Sequence, residues 1–461
     1  MLPENFKAFG GGSAVTALHP LALVILVLAV LLMWFVPRRY MLAPFLAVAI
    51  LIPLEQQVVV GGLHFMVLRI VLLFAWMRLL VGIGEERHFL AAGFTRLDMV
   101  FAAWVISAVV TFTILWADVG ALIAKLGFLY NAFGTYFLLR CLLRTREDVA
   151  RMLKVLAIIF AVVAVLMTVE QLTGRNLLAI FGLPAEAEIR NGRIRSQGPF
   201  LHSIIAGTIG AILIPTFLGL GWASRKSRLY AAVGILAALV MIVTSASSTP
   251  VATCMAGLVA VGMWPMRRYM KLVRWGIAAM LLGLHLVMKA PVWALIGRID
   301  LAGGSTSWHR FALVDHFINH FSEWWLVGTR DNAKWGWDMW DSINWYVASG
   351  ITGGLVGLVL FVAILVIGFA EIGRYLHSRR SEENPRRFAW CLGASVFAGS
   401  VSFFGISLFD QSIVLWYSLF AMIVAMTTVV PARKAQPVVA TISTEEFAFA
   451  PLSSQPVHPL L

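Results

Sequence analysis

Charged side chains are scarce in this 461-residue sequence: Asp, Glu, Lys and Arg make up 13% of it, about half the share usual in soluble proteins. With 60% hydrophobic residues and a mean hydropathy of +0.86, a water-soluble fold could not cover its own apolar surface, so that class is excluded. Cysteine is scarcer still. Cys141, Cys254 and Cys391 lie in or beside apolar stretches and form no close pair, which leaves no disulfide framework and no zinc-type spacing. No basic region precedes the first apolar run in residues 1–16, which argues against a cleavable signal peptide. The polar–apolar alternation of an outer-membrane barrel is missing, and so is a repeat of helices that would mark a transporter.

What is present is a series of apolar runs long enough to match a bilayer. Window hydropathy marks thirteen: 17–36, 41–60, 63–83, 97–116, 119–139, 152–171, 202–222, 229–247, 250–265, 273–293, 347–370, 389–408 and 412–430. The expected fold is therefore all-α and integral to the membrane, a polytopic helical bundle of about 12–13 transmembrane helices. Its parts are a helical region 1–293 interrupted by a short loop at 172–201, a large loop at 294–346, further helices at 347–430, and a disordered tail at 431–461. The net charge of +13 does not point to nucleic acid, because the basic residues sit in short connections. Alternate connections carry Arg38 and Arg39; Arg140, Arg144, Arg146 and Arg151; Arg225, Lys226 and Arg228; Arg267, Arg268, Lys271 and Arg274; and Arg374 to Arg387. The positive-inside rule makes that side cytoplasmic. Lys7, Arg69 and Lys125 are read as snorkelling charges near segment ends.

The basic residues that violate this bias cluster in two connections on the other side. Arg175, Arg190, Arg193 and Arg195 lie in 172–201, and Lys289, Arg298, Arg310, Arg330 and Lys334 lie in or beside 294–346. Arg190, Arg193 and Arg195 could form a phosphate clamp, because a guanidinium is a permanently charged planar fork that matches phosphate oxygens. Alternatively they are solvated, with Glu186 and Glu188 as partners. The turn Ser196-Gln197-Gly198-Pro199-Phe200 leads straight into an apolar run and would hold them at the membrane surface.

In residues 305–325, helical periodicity gathers Phe311, Val314, Phe317, Ile318, Phe321 and Trp325 on one face and His309, His316, Asn319, His320 and Glu323 on the other. Arg310 falls within the apolar face, where it needs an anion or an acid unless it snorkels. The spacing of His316 and His320 admits a metal, but the acid-poor context favours a solvated face, and no metal or cofactor is expected. Asp341 and Asn344 precede the next apolar run, either as contacts to an acceptor or sugar or as ordinary helix caps. The tryptophans dense between Trp308 and Trp345 suit both a membrane-interface belt and stacking on sugar rings.

Three stretches resemble landmarks of the O-antigen ligase and polymerase superfamily: "RSQGPFLHSIIAG" from Arg195, "SWHRFAL" with "WWLVGT" from Ser307, and "DSINWYVASGITGG" from Asp341. The resemblance implies a GT-C-like glycosyltransferase of the bacterial inner membrane with its large loop in the periplasm. Such enzymes pass a glycan from undecaprenyl diphosphate to lipid A core, to another carrier-linked glycan, or to protein, without nucleotide sugar or metal. Its partners would be the bilayer, the carrier-linked glycan, a growing polysaccharide or lipid acceptor, and other polysaccharide-assembly proteins. Carried over by motif, Arg195 and Arg310 would bind the donor diphosphate, with Arg190 and Arg193 auxiliary. Many ligases begin the third motif with His-Asn; this chain has Ile343-Asn344. Asp341 and His309 are then the candidate catalytic bases, with His202 and Asn344 as contacts to glycan or acceptor. The missing histidine favours a polymerase over a ligase. A lipid-linked glycan transporter or flippase is the rival of another class, disfavoured because the spans carry almost no acid beyond Glu170.

Overall fold

The computed structural model describes residues 15–81, 90, 93–298, 307–378, 383–409 and 411–428. The expected tail at 431–461 lies outside the described residues, as does Lys7. The chain is 76% helical. Its helices are α1 Pro20–Phe35, α2 Leu42–Leu51, α3 Val67–Val81, α4 Arg96–Trp116, α5 Val119–Leu142, α6 Arg146–Thr173, α7 Ser203–Ala223, α8 Arg228–Thr244, α9 Ser248–Gly262, α10 Met270–Val287, α11 Ser307–Asn319, α12 Phe321–Trp324, α13 Trp345–Ser378, α14 Glu383–Ser402 and α15 Ser412–Thr427. Two antiparallel hairpins accompany them, β1 Gln57–Val60 with β2 Leu63–Met66 and β3 Glu188–Arg190 with β4 Arg193–Arg195.

Each of the thirteen apolar runs holds a helix, but only seven among the described residues are long and apolar enough to cross a membrane. The shortfall has local causes. The run 41–60 loses its helix at Ile52, ahead of Pro53, and turns into β1; the run 63–83 begins as β2. α1, α9 and α15 are apolar but have 16, 15 and 16 residues, short of the 20 or so that span about 30 Å of hydrocarbon. α14 opens on Glu383, Arg386 and Arg387. The chain is thus a polytopic, mostly helical membrane protein, with seven helices among the described residues long and apolar enough to cross a bilayer.

α7 is the hub. Its residues are almost all buried, against α8, α9 and α14. Small residues permit the close approach usual between membrane helices. A side-chain carbon at Gly207 would collide with Ser245 Oγ, and one at Gly219 would lie 2.7 Å from the Phe388 ring.

Side-chain contacts sort the connections into two ends. At one, an Arg38 Nη donates to the Cys141 carbonyl, an Arg151 Nη to the Arg39 carbonyl, and Arg267, Arg386 and Arg387 surround the Trp264 ring. At the other, Ala17 pairs with Gln57, Gln56 donates to the Phe181 carbonyl, and Arg330 Nε donates to the Leu115 carbonyl. The arginine-rich connections thus meet in groups, 38–39 with 141–151 and 264–267 with 386–387. Arg69 departs from the snorkelling expectation: it is half-buried, donates to Asn131 Oδ1 and the His64 carbonyl, and lies against Gly127.

Residues 307–344 fold onto the bundle. Leu313, Phe317, Trp324, Trp335 and Met339 form a small core with Val347 and Ile351 of α13. α13 is interrupted at Gly354, whose φ of 63° and ψ of −167° are not helical. There the segment after α12 enters the break: Leu355 N–H donates to the Trp325 carbonyl at 2.7 Å and Thr329 N–H to the Ile351 carbonyl at 2.9 Å. "GITGG" therefore marks a break inside this helix and not its start.

Candidate functional site

The site begins with the β3–β4 hairpin. Asn191 and Gly192 both take positive φ, 52° and 73°, as a two-residue turn between right-twisted strands requires. Arg190 and Arg193 face each other beside this turn and are exposed, while Arg195 pairs with Glu188 at the hairpin base and is buried. The three arginines therefore do not form one cluster: two occupy the exposed tip, and the third points into the protein.

Beyond Arg195 the turn is fixed from below. The Glu170 carboxylate, 1% exposed at the end of α6, accepts N–H bonds from Gln197 at 3.1 Å and Gly198 at 2.8 Å. Gly198 has φ 58°, and a side-chain carbon there would lie 3.0 Å from Met167 Cγ, so glycine is needed for both conformation and space. Asn176 donates to the Gly198 carbonyl, Gln411 to the Pro199 carbonyl, and Ser196 N–H to the Thr244 carbonyl.

Arg195 donates through one Nη to Glu188 Oε1 at 2.7 Å and through the other to Ser247 Oγ at 2.7 Å. Its Nε is buried and meets no acceptor among the described residues. Arg310, on α11, donates through an Nη to Thr249 Oγ1 at 2.9 Å, and its guanidinium lies beside Gly405, where an added side-chain carbon would sit 3.1 Å from its Cζ. Ser247 is the residue before α9 and Thr249 is in its first turn. The two arginines singled out from different loops thus reach hydroxyls two residues apart, at the start of one helix.

His202, His309 and Asp341 are also brought together. His309 is 6% exposed and its Nε2 donates to the Asp338 carbonyl at 2.8 Å, with the Asp338 carboxylate at 3.9 Å. Its burial contradicts the expected polar outer face of 305–325. There is no continuous helix over those residues: the chain turns at His320, Ile318, Phe321 and Trp325 are exposed, and Leu313 and Phe317 are buried. Burial raises the pKa of the Asp341 carboxyl above its ordinary value and Asp338 pushes it the same way, against the opposing pull of His309 and His202. The His202 ring meets Phe409 edge-on at 5.9 Å. His316 and His320 are neighbours, with His320 stacked on Trp335 at 5.2 Å, so packing accounts for their spacing.

Asn344 is the cap of α13. Its Oδ1 accepts N–H bonds from Tyr346 at 3.0 Å and Val347 at 3.2 Å, its amide donates to the Phe404 carbonyl, and it is 1% exposed. It positions α13 against the 403–409 connection. That connection reaches three of the candidates: Gly405 beside Arg310, Phe404 on Asn344 and Phe409 on His202. Of the dense tryptophans, Trp324, Trp335 and Trp345 are core residues, whereas Trp308, Trp337 and Trp340 are well exposed, with the Trp308 and Trp337 rings 6.3 Å apart.

No protein-family model matches the chain, and no curated protein matches it. The chemistry of the site is therefore read from these side chains. Sequence reasoning missed Ser247, Thr249 and the bracing role of Glu170. The available signal for the first two was the polar run Ser245–Thr249 before Pro250, a helix start by composition.

The arrangement offers two permanent cations whose donors are oriented by hydroxyls, and a carboxyl with a raised pKa within electrostatic reach of two imidazoles. The first set suits an anion rich in oxygen acceptors. The second suits proton transfer.

Proposed function

We propose that this protein is a GT-C-like glycosyltransferase of the bacterial inner membrane, facing the periplasm, which polymerises undecaprenyl-diphosphate-linked glycan units into a surface polysaccharide. The observation that carries the reading is the meeting of Arg195 and Arg310 on Ser247 and Thr249. A lone arginine at a membrane surface has many ordinary uses. Two from separate loops, oriented by adjacent hydroxyls, form a seat for a group with several anionic oxygens.

In the proposed reaction the donor diphosphate lies on Arg195 and Arg310, with Arg190 and Arg193 at the hairpin tip guiding its approach. The acceptor hydroxyl attacks the anomeric carbon, and the bond from that carbon to the phosphate oxygen breaks. Negative charge collects on the departing diphosphate, where the preoriented guanidinium groups are worth most. Asp341 receives the hydroxyl proton, with His309 and His202 holding its carboxylate charge. Exposed Trp308, Trp337 and Trp340 offer faces for sugar rings. Glu188 occupies one edge of Arg195, but its side chain is 50% exposed. The carboxylate end of the pair is open to water although the guanidinium is not, so a diphosphate can approach from the Glu188 side and take its place.

The test is Arg195→Ala and Arg310→Ala, each compared with Lys at the same position. Both alanine variants should reach the membrane and make no polymer; wild-type polymer in both would refute the proposal. Long chains as product favour the polymerase, single transfers to a lipid or protein acceptor favour the ligase, and export without release of carrier diphosphate favours a transporter.

A further inference from the structure

Below the 403–409 connection lies a cavity of about 130 Å³ that the arginine site does not use. Trp104 of α4, Lys125 and Phe128 of α5, Trp345 and Ser349 of α13, and Tyr417 of α15 line it. Lys125 is the seventh residue of α5, so it sits about 9 Å along the helix from its first residue. That first turn is at the same end as the arginine site, since Leu115 and Trp116 just ahead of it receive Arg330. The ammonium stands 4.2 Å from the Phe112 ring centroid and 5.4 Å from that of Phe128. No carboxylate pairs with it among the described residues.

A lysine in an aromatic cavity keeps part of its charge stabilised by ring faces. Those faces do not replace the hydration of a compact ammonium, and an ion withdrawn from water needs a counter-charge. The cavity is lined by the ammonium, and its other walls are mostly apolar, with Ser349 and Thr352 among them. We infer that it is a second anion site, which takes the phosphate of a membrane amphiphile, the headgroup on Lys125 and the chain along the aromatic wall. The break of α13 keeps this space open. Gly353 and Gly357, on either side of Gly354, also line it. Leu408 connects it to the loop that carries Gly405 and Phe409. The inference does not depend on the glycosyltransferase reading.

The experiment uses the full chain purified in a neutral detergent, with dodecyl phosphate as the probe and tryptophan fluorescence as the signal, since Trp104 and Trp345 line the cavity. Binding should saturate, weaken at least tenfold in Lys125→Met, and stay within threefold of wild type in Lys125→Arg. Arg310→Ala should leave the Lys125-dependent binding in place, which separates this site from the arginines. Dodecanol, with the same tail and no charge, should not compete. Displacement by phosphatidylglycerol identifies a bilayer lipid as the source of the phosphate, and displacement by undecaprenyl phosphate identifies a carrier lipid. Should Lys125→Met lower the melting temperature too far for titration, the Lys125→Arg and dodecanol arms carry the test. Undiminished binding in folded Lys125→Met, or equal competition by dodecanol, would overturn the inference.

Discussion

Replacing Glu170 with Gln tests whether the arginine turn is held by a buried anion. The carboxylate accepts from Gln197 N–H at 3.1 Å and Gly198 N–H at 2.8 Å and is 1% exposed. Oε2 accepts from both N–H groups and Oε1 only from Gln197. Glutamine with its oxygen in the Oε2 place therefore keeps both bonds but removes the charge and sets its amide nitrogen against Gln197 N–H. Both bonds lose their charge assistance, about 1–1.5 kcal/mol each, and the contact that Oε1 made with Gln197 becomes a repulsion between N–H groups. We expect the variant to lose about 3 kcal/mol of stability in total, with the turn Ser196–Pro199 released from α6. Arg195 is the next residue, and displacement of a binding group by about 1 Å is enough to cost on the order of a hundredfold in rate. The assay is release of carrier diphosphate by purified protein alongside its melting temperature. A positioning role predicts that kcat falls with Arg195 still present, and that Glu170→Asp recovers part of the loss. A Glu170→Gln protein with wild-type melting temperature and wild-type turnover would refute the reasoning.

The raised pKa of Asp341 gives a pH signature. As a base it works ionised, so kcat/KM should rise with pH through a value above the ordinary carboxylate 3.8, and Asp341→Asn should remove that limb together with most activity; an unchanged acid limb would exclude Asp341 as the base. The same shift means that the folded protein holds this proton more tightly than the unfolded chain. Its contribution to stability is present below the unfolded pKa and lost as pH rises through the folded one. Gly198→Ala should destabilise by about 1–3 kcal/mol from positive φ alone, with further strain against Met167; a melting temperature equal to wild type would show that the turn is more compliant than its contacts indicate. Asp98→Ala strands Arg140, which donates to it at 2.8 and 3.0 Å and is 1% exposed. A loss of about 3–5 kcal/mol is expected, read as poor recovery of folded protein from detergent, with any folded fraction keeping its catalytic rate.

Hydropathy marks where helices lie because lipid imposes a rule that composition alone obeys: apolar residues for a membrane's thickness. It does not mark how far each helix runs. Pro53 stops α2, and the β-branched run Val58–Val60 with Gly61 and Gly62 makes a hairpin where a hydropathy window sees only apolar residues. Periodicity over 305–325 misleads for a related reason. Near a membrane, exposed apolar side chains such as Ile318, Phe321 and Trp325 carry no penalty, so the apolar stripe does not identify the buried face.

Side-chain chemistry identified Arg195 and Arg310 as cations needing a reason, but their common partner lies in a connection that looks bland. Ser247 and Thr249 carry no charge and make a polar helix start of an ordinary kind; only the fold brings them to the two arginines. Asn344 shows the converse, since a polar residue before an apolar run is spoken for by the helix it caps. Glu170 stood out in sequence as an acid in an apolar run, and ion coupling was the function to weigh for it. Its oxygens are instead engaged by the backbone of the arginine turn, Oε2 by Gln197 and Gly198 and Oε1 by Gln197 again. A buried carboxylate so matched holds its geometry without any counter-cation, which leaves the charge of Arg195, one residue before the turn, to be met by Glu188 or by an incoming anion. The exposed side of that competition is the hairpin, so Glu188→Gln should lower the KM for the lipid-diphosphate donor while leaving kcat near wild type. A raised KM would mean that Glu188 aligns Arg195 for the donor and does not compete with it.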